Sequence, residues 1–122
     1  MVVKNKEKII NQFEESGFVM YESLMNKDNE IKYNTEFKKL LKIYKTVFEK
    51  DKSFASECLC LLMQSDNPIV SAKAAAYCLG LEIHREQAIE VLTELSKEKD
   101  FFGHNAKRTL EVYQKKGYLK IY

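Results

Sequence analysis

Four glutamates recur at intervals of four residues in the C-terminal half of the chain. Glu86, Glu90, Glu94 and Glu98 lie in the stretch HREQAIEVLTELSKEKD, residues 84–100. In a helix this spacing places the carboxylates one above another, and each like-charged pair costs about a few tenths of a kcal/mol. Lys97 is close enough to offset part of this repulsion. This row, here called the acidic ridge, is typical of either a solvated helix face or a surface that binds a basic partner.

The residue types that usually carry catalysis or bind metals form no motif. His84 and His104 have no Cys, Asp or Glu at a spacing that makes a zinc site. Cys58 and Cys60, in the sequence CLC, would point about 200° apart on a helix and could not chelate one ion. The sequence also lacks a glycine-rich phosphate loop and the G-x-S-x-G and HExxH motifs. We therefore expect a protein that is not an enzyme and that uses no cofactor or metal.

The composition is that of an ordinary globular domain. The 122 residues are 45% hydrophobic and 31% charged, which is enough apolar sequence for one domain over residues 1–122. The odd number of cysteines and their apolar neighbours predict buried free thiols, as in a reducing cytoplasm. The N-terminal MVVKNKEK does not resemble a targeting peptide, and no run approaches the roughly 20 apolar residues of a membrane span. We expect a cytoplasmic protein.

The charge is distributed unevenly along the chain. Residues 53–100 hold 4 basic and 8 acidic residues, whereas residues 101–122 hold 5 basic residues and 1 acidic residue. Basic residues and tyrosines alternate near the end, in a stretch here called the basic segment, which contains Lys107, Arg108, Tyr113, Lys115, Lys116, Tyr118, Lys120 and Tyr122. The net charge of +2 thus conceals regions of opposite sign, which favours an orienting electrostatic surface over general nucleic-acid affinity.

Apolar residues recur every three or four positions through most of the chain, and this period predicts an all-α fold. We expect six short helices, over residues 9–24, 33–48, 54–64, 68–79, the acidic ridge, and 101–116. Asp66 or Asn67 can cap the fourth helix, Pro68 suits its first turn, and Gly80 can end it. Asp100 can cap the sixth helix, with Gly117 beyond its last turn.

An internal period indicates how these helices pair. A shift of 31 residues aligns Ala75 with Ala106 and Leu79 with Leu110. Small and large residues at matching positions suit helices that pack closely on a neighbour. We expect helices three and four, and helices five and six, to form antiparallel hairpins that stack as repeats, with helices one and two as the opening pair.

The segment LLMQSDNPIVSAKAAAYCLG, residues 61–80, resembles a HEAT repeat. It has an apolar helix, an Asp-x-Pro turn, Val70 two residues after the proline, and a second helix rich in alanine. Ser71 stands where HEAT repeats usually have a basic residue that bonds to the turn aspartate. The resemblance implies that the alanines let the second helix lie close against the first.

The whole chain is similar to a small bacterial family of all-helical, HEAT-like proteins. Several of them resemble immunity proteins encoded beside polymorphic or contact-dependent-inhibition toxins. The stretches that carry the likeness are IKYNTEFKKLLKIYK, DNPIVSAKAAAYCL, AIEVLTEL and GHNAKRTLEVYQKKG. The resemblance implies an immunity protein that binds a cognate toxin stoichiometrically and covers its active site or substrate groove. We expect that toxin to be a nuclease with a basic cleft.

The acidic ridge is the surface that we expect to contact the toxin, because a basic partner would gain association rate and specificity from it. The candidate contact residues are Glu86, Glu90, Glu94 and Glu98, the nearby acids Asp66 and Glu82, and the aromatic anchors Tyr77 and Tyr113 if their helices line the concave side. Second helices usually line the concave face of stacked hairpins, whereas the ridge is on a first helix. Either the toxin docks on the outer side or the ridge is a solvated face.

A second interpretation is a HEAT-like adaptor that binds a host protein or nucleic acid through the basic segment. Its lysines and arginine could contact phosphates while its tyrosines stack on bases. The lysines at positions 115 and 116 equally suit the negative end of a helix dipole, and the tyrosines suit a core edge. We therefore do not expect nucleic-acid binding to be the main activity. We expect a monomer that does not bind membranes.

Overall fold

The computed structural model describes residues 5–26 and 30–122, and within these ranges the regular secondary structure is entirely helical. The α-helices are α1 (Lys6–Asn26), α2 (Glu30–Ile43), α3 (Lys52–Leu62), α4 (Pro68–Leu81), α5 (Arg85–Ser96) and α6 (Phe101–Lys116). The all-α class and the six predicted helices are therefore confirmed.

The second helix ends in a wider turn. A π-helical segment, Tyr44–Phe48, continues directly from α2. Its wider hydrogen-bonding step is visible where the Glu49 N–H donates to the Tyr44 carbonyl at 2.9 Å. Tyr44 and Phe48 are both buried. The sequence predicted a helix through position 48, but it did not predict the wider turn, because apolar residues four apart also fit an α-helix.

Side-chain caps mark the beginnings of α3, α4 and α6. Asp51, Asn67 and Asp100 accept hydrogen bonds from the backbone N–H groups of Phe54 at 3.0 Å, Ile69 at 2.9 Å and Gly103 at 2.9 Å. Asn67, rather than Asp66, therefore caps α4, with Pro68 in its first turn. Gly117 adopts a φ of 80° at the end of α6, as its sequence position predicted.

The predicted end of α4 at Gly80 is wrong. The helix continues to Leu81, and Glu82 adopts the left-handed conformation after it. Gly80 instead allows a close contact, since a Cβ atom there would lie 2.5 Å from Ile121 Cγ1 and 2.7 Å from the Tyr44 hydroxyl oxygen. The C-terminal tail therefore packs onto α4.

Three helical hairpins stack along the chain. α1 packs on α2, α3 on α4 and α5 on α6, while α4 also packs on α1, α5 and α6. Gly17 permits the contact between α1 and α4, because a Cβ atom at that position would collide with the side chain of Val70. The predicted stacked antiparallel hairpins are thus consistent with the observed packing, and α4 is their central helix.

The buried apolar side chains of all six helices belong to one cluster. Among the described residues, the central α4 contributes more of them than any other helix, since nine of its residues are buried. Cys58 and Cys78 lie inside this cluster, and Cys60 is half-buried beside it. All three cysteines are free, and burial raises the pKa of the Cys58 thiol to about 11. The prediction of free thiols is confirmed, and the predicted burial holds for Cys58 and Cys78 but only in part for Cys60.

Candidate functional site

One side of α5, the helix that carries the acidic ridge, packs against the core. Ala88 and Leu92 are buried, and Ile89, Val91 and Leu95 pack against the core. His84 precedes the helix in a left-handed conformation, and its Nε2 lies 2.7 Å from the Ser56 hydroxyl oxygen on α3. These contacts orient α5, so that its other side faces solvent.

The ridge is exposed, but its extent differs from the prediction. Glu86, Glu90 and Glu94 stand on successive turns of α5, and all three are exposed. Glu98 is also exposed, but it lies beyond the helix, which ends at Ser96. The helical row therefore has three carboxylates, and the fourth comes from the turn before α6.

The ridge is little neutralised by neighbouring residues. Lys97 Nζ lies 2.9 Å from Glu94 Oε1, an exposed pair of the kind that contributes at most about 1 kcal/mol. Within the described part of the chain, Glu86, Glu90 and Glu98 make no ion pair. The Arg85 guanidinium does not pair with them and lies 5.5 Å from the ring centroid of Tyr113. Three of the four carboxylates are thus available to an external cation.

The turn between α3 and α4 borders the ridge. Glu90 and Glu94 line an open depression of about 350 Å³ together with Gln64, Ser65 and Ser71. Asp66, which follows Ser65, is exposed at this turn. Asp66, one of the two additional predicted acids, therefore directly follows a residue that lines this depression.

Glu82 marks the opposite end of α5. It is exposed and forms the left-handed end of α4, three residues before α5 begins. Glu82 therefore precedes the N-terminal end of α5, whereas Asp66 lies in the turn between α3 and α4. Neither forms an ion pair with a described residue.

Tyr77 and Tyr113 cannot serve as the predicted aromatic anchors, because both side chains are in the core. They are 2% and 4% exposed. The Tyr77 ring packs on the rings of Phe13 and Tyr44, with centroid distances of 6.0 and 4.8 Å. A sequence signal for Tyr113 was its spacing from Ala106 and Leu110, which are buried on the same side of α6.

The basic segment is exposed but lacks the expected set of stacking rings. Its lysines and arginine are exposed, whereas Tyr113 is buried. Tyr122 donates a hydrogen bond to Glu49, and Lys45 Nζ lies 4.3 Å from its ring centroid. Tyr118 is exposed. One buried ring and one engaged ring leave a weaker platform for bases than the sequence indicated.

A second face of the protein carries candidate binding residues that the sequence did not indicate. α2, α4 and α6 border a groove that contains Tyr33 and Lys73. At about 100° per residue, Ser71 at the ridge depression points roughly to the opposite side of α4 from the groove residues Ala72, Lys73 and Ala76. The ridge and the groove are therefore separate surfaces. The sequence feature that could have indicated this groove was Lys73, the one charged residue in the apolar sequence of α4.

No group of three or more His, Cys, Asp or Glu side chains in the described ranges could hold a metal ion. None of the helices described is both long and apolar enough to cross a bilayer. No protein family, curated protein or solved structure matches this chain.

Proposed function

We propose that this protein is an immunity protein that binds a basic toxin, of the nuclease class, through the acidic ridge on α5. The observation that carries this proposal is the exposure of the Glu86, Glu90 and Glu94 carboxylates on a helix whose opposite side is buried. The ridge then acts as a preformed anionic surface that competes with nucleic acid for the basic cleft of the toxin. Binding is stoichiometric and requires no chemical step.

Electrostatics would favour this mode of binding. Like charges on one helix face repel each other in the free protein, and a basic partner relieves that repulsion when it docks. Long-range attraction also accelerates encounter, and salt weakens it over roughly a Debye length of 8–10 Å. The toxin would approach the outer side of the stacked hairpins, because the ridge faces away from the groove between the second helices.

The test of this proposal is a charge reversal on the ridge. Glu90→Lys with Glu94→Lys should leave folding intact, because exposed substitutions usually change stability by no more than about 0.5 kcal/mol. Association with the cognate toxin should slow at least about tenfold, and its dependence on salt should weaken. Stopped-flow association at low and high salt measures both effects, and growth rescue in cells that express the toxin measures their consequence.

The matched control reverses two charges of the basic segment. Lys107→Glu with Arg108→Glu changes the charge by the same amount in the opposite direction, and growth rescue should persist. If the ridge variant rescues growth as well as the wild type does, the toxin interface lies elsewhere. If the Lys107 and Arg108 variant loses salt-sensitive binding to RNA or DNA, the adaptor interpretation replaces the immunity function.

A further inference from the structure

A groove runs between the second helices of the three hairpins. Its lining comes from α4 and α6 and from one residue of α2, and comprises Tyr33, Pro68, Ile69, Ala72, Lys73, Ala76, Phe101, Phe102, Asn105, Ala106 and Thr109. The cavity has a volume of about 100 Å³. The lining of α4 and of α6 each spans about two helical turns, or roughly 12 Å. The space is therefore a shallow trough rather than a compact chamber.

Lys73 is the one charged residue in this lining. Its side chain is half-buried, and its Nζ lies 4.1 Å from the centroid of the Phe37 ring. No carboxylate in the described residues pairs with it. Burial lowers the pKa of the Lys73 ammonium to about 8, as expected for a cation that has lost water without gaining an anion. The ammonium is largely protonated at neutral pH.

The other groups in the lining complement an anion that is attached to an apolar body. The Tyr33 hydroxyl has no hydrogen-bond partner among the described residues, and burial raises the pKa of this phenol, so it remains a donor. Phe101 is half-exposed at the wall, and Phe102 stacks on Tyr21 at a centroid distance of 5.6 Å. The trough thus combines unpaired donors with aromatic walls.

We propose that this groove binds a peptide segment of a partner protein, with one Asp or Glu carboxylate on Lys73 and apolar side chains against the aromatic walls. A carboxylate suits the site better than a phosphate because a single cation is present. The cavity volume of about 100 Å³ is below the roughly 150 Å³ of an engineered cavity that takes benzene. It therefore accepts one side chain, while the length of the trough accepts the residues beside it.

This binding site does not depend on the proposed function of the acidic ridge. The two surfaces lie on different sides of α4 and have opposite charge. A basic partner would meet the ridge, whereas an acidic and apolar segment would meet the groove.

A displayed library of random ten-residue peptides tests the proposal. The peptides are selected on the wild-type protein and counter-selected on Lys73→Met. We expect the surviving sequences to share one Asp or Glu flanked by apolar or aromatic residues. Replacing that acid by its amide in a synthetic peptide with blocked ends should weaken binding about tenfold or more, because a charge-assisted hydrogen bond is lost.

Three variants of the protein separate a specific site from general charge effects. Lys73→Met should weaken binding of the acidic peptide by the same factor and should not change the affinity of the amide peptide. Lys73→Arg should retain the preference for the acid. Lys107→Met removes one exposed lysine outside the groove, and peptide affinity should not change. Unfolding curves establish that each variant is folded under the conditions of the binding measurement.

Each contrary result overturns the proposal. If no selected sequence discriminates between wild type and Lys73→Met, or if acid and amide peptides bind equally, Lys73 is not a carboxylate site. If acetate at matched ionic strength displaces the peptide as effectively as a second acidic peptide does, the ligand is a free carboxylate. A dimer in sedimentation that disappears in Lys73→Met would identify a second copy of this chain as the occupant.

Discussion

At the scale of single residues, the buried hydroxyl of Tyr77 is the clearest local feature that lowers stability. Among the described residues it has no hydrogen-bond partner, and burial raises the pKa of the phenol well above its ordinary value. Tyr77→Phe removes this unsatisfied group and keeps the ring contacts with Phe13 and Tyr44. We expect a gain of about 1 kcal/mol in the free energy of unfolding, measured by urea denaturation. A loss of stability would mean that the hydroxyl has an acceptor.

Lys73 should make stability depend on alkaline pH. Its pKa is about 8 in the folded protein and ordinarily 10.5, so between these values the unfolded chain binds more protons. The stability penalty of the buried charge is therefore complete below about pH 8 and is relieved as pH rises through the interval. Lys73→Met should be more stable than wild type near pH 7, and the difference should shrink towards about pH 10. Urea denaturation at both pH values measures it, and a constant difference would contradict the assigned shift.

At the scale of secondary-structure elements, the packing of α4 depends on its small residues. Ala75 is fully buried, whereas Ala72 is half-buried at the groove. Ala75→Leu should push neighbouring helices apart and cost about 1–3 kcal/mol, as overpacking usually does. Ala72→Leu adds the same atoms beside open space and should therefore reduce stability by less than Ala75→Leu does. Thermal unfolding of both variants measures the difference, and equal melting temperatures would show that Ala75 is not a tightly packed position.

At the scale of the whole molecule, the C-terminal tail closes on the central helix. Gly80 leaves room for the side chain of Ile121, which packs against the core. Gly80→Ala and Ile121→Ala should each be destabilising, the first through overlap and the second through lost burial. In the double variant the smaller side chain at position 121 removes part of the overlap. The double variant should therefore lose less stability than the two single variants together, and strict additivity in a double-mutant cycle would contradict this contact.

The two candidate binding surfaces also belong to this scale. The ridge on α5 carries unpaired carboxylates, and the groove between α2 and α6 carries one unpaired ammonium. Each is formed on a helix whose remaining sides are packed, so neither needs to become ordered before it binds. Their separation by the body of α4 allows the reversal of the ridge charges and the removal of the Lys73 charge to be tested independently. Each substitution should affect one kind of partner.

The sequence by itself determined the features that depend on local spacing. The period of apolar residues predicted six helices, and Asn67, Asp100 and Gly117 marked helix ends because their side-chain or backbone preferences act over a few residues. The exposure of the glutamates on α5 followed from the same period, since Ala88 and Leu92 must face the core. The apolar neighbours of the cysteines indicated that the thiols are buried and unpaired.

Only the tertiary structure decided which positions are central and which are peripheral. Tyr77 and Tyr113 carry a polar tip that suits either a buried ring or an exposed anchor, and the only local signal of burial was the spacing of Tyr113 from Ala106 and Leu110. Their burial results from contacts with residues that are distant in the chain. Gly80 looked like a helix end because glycine suits one, but Ile121, 41 residues later, gives it another role. The groove around Lys73 exists because α2 and α6 lie apart beside α4, and a spacing pattern cannot encode how far apart packed helices lie.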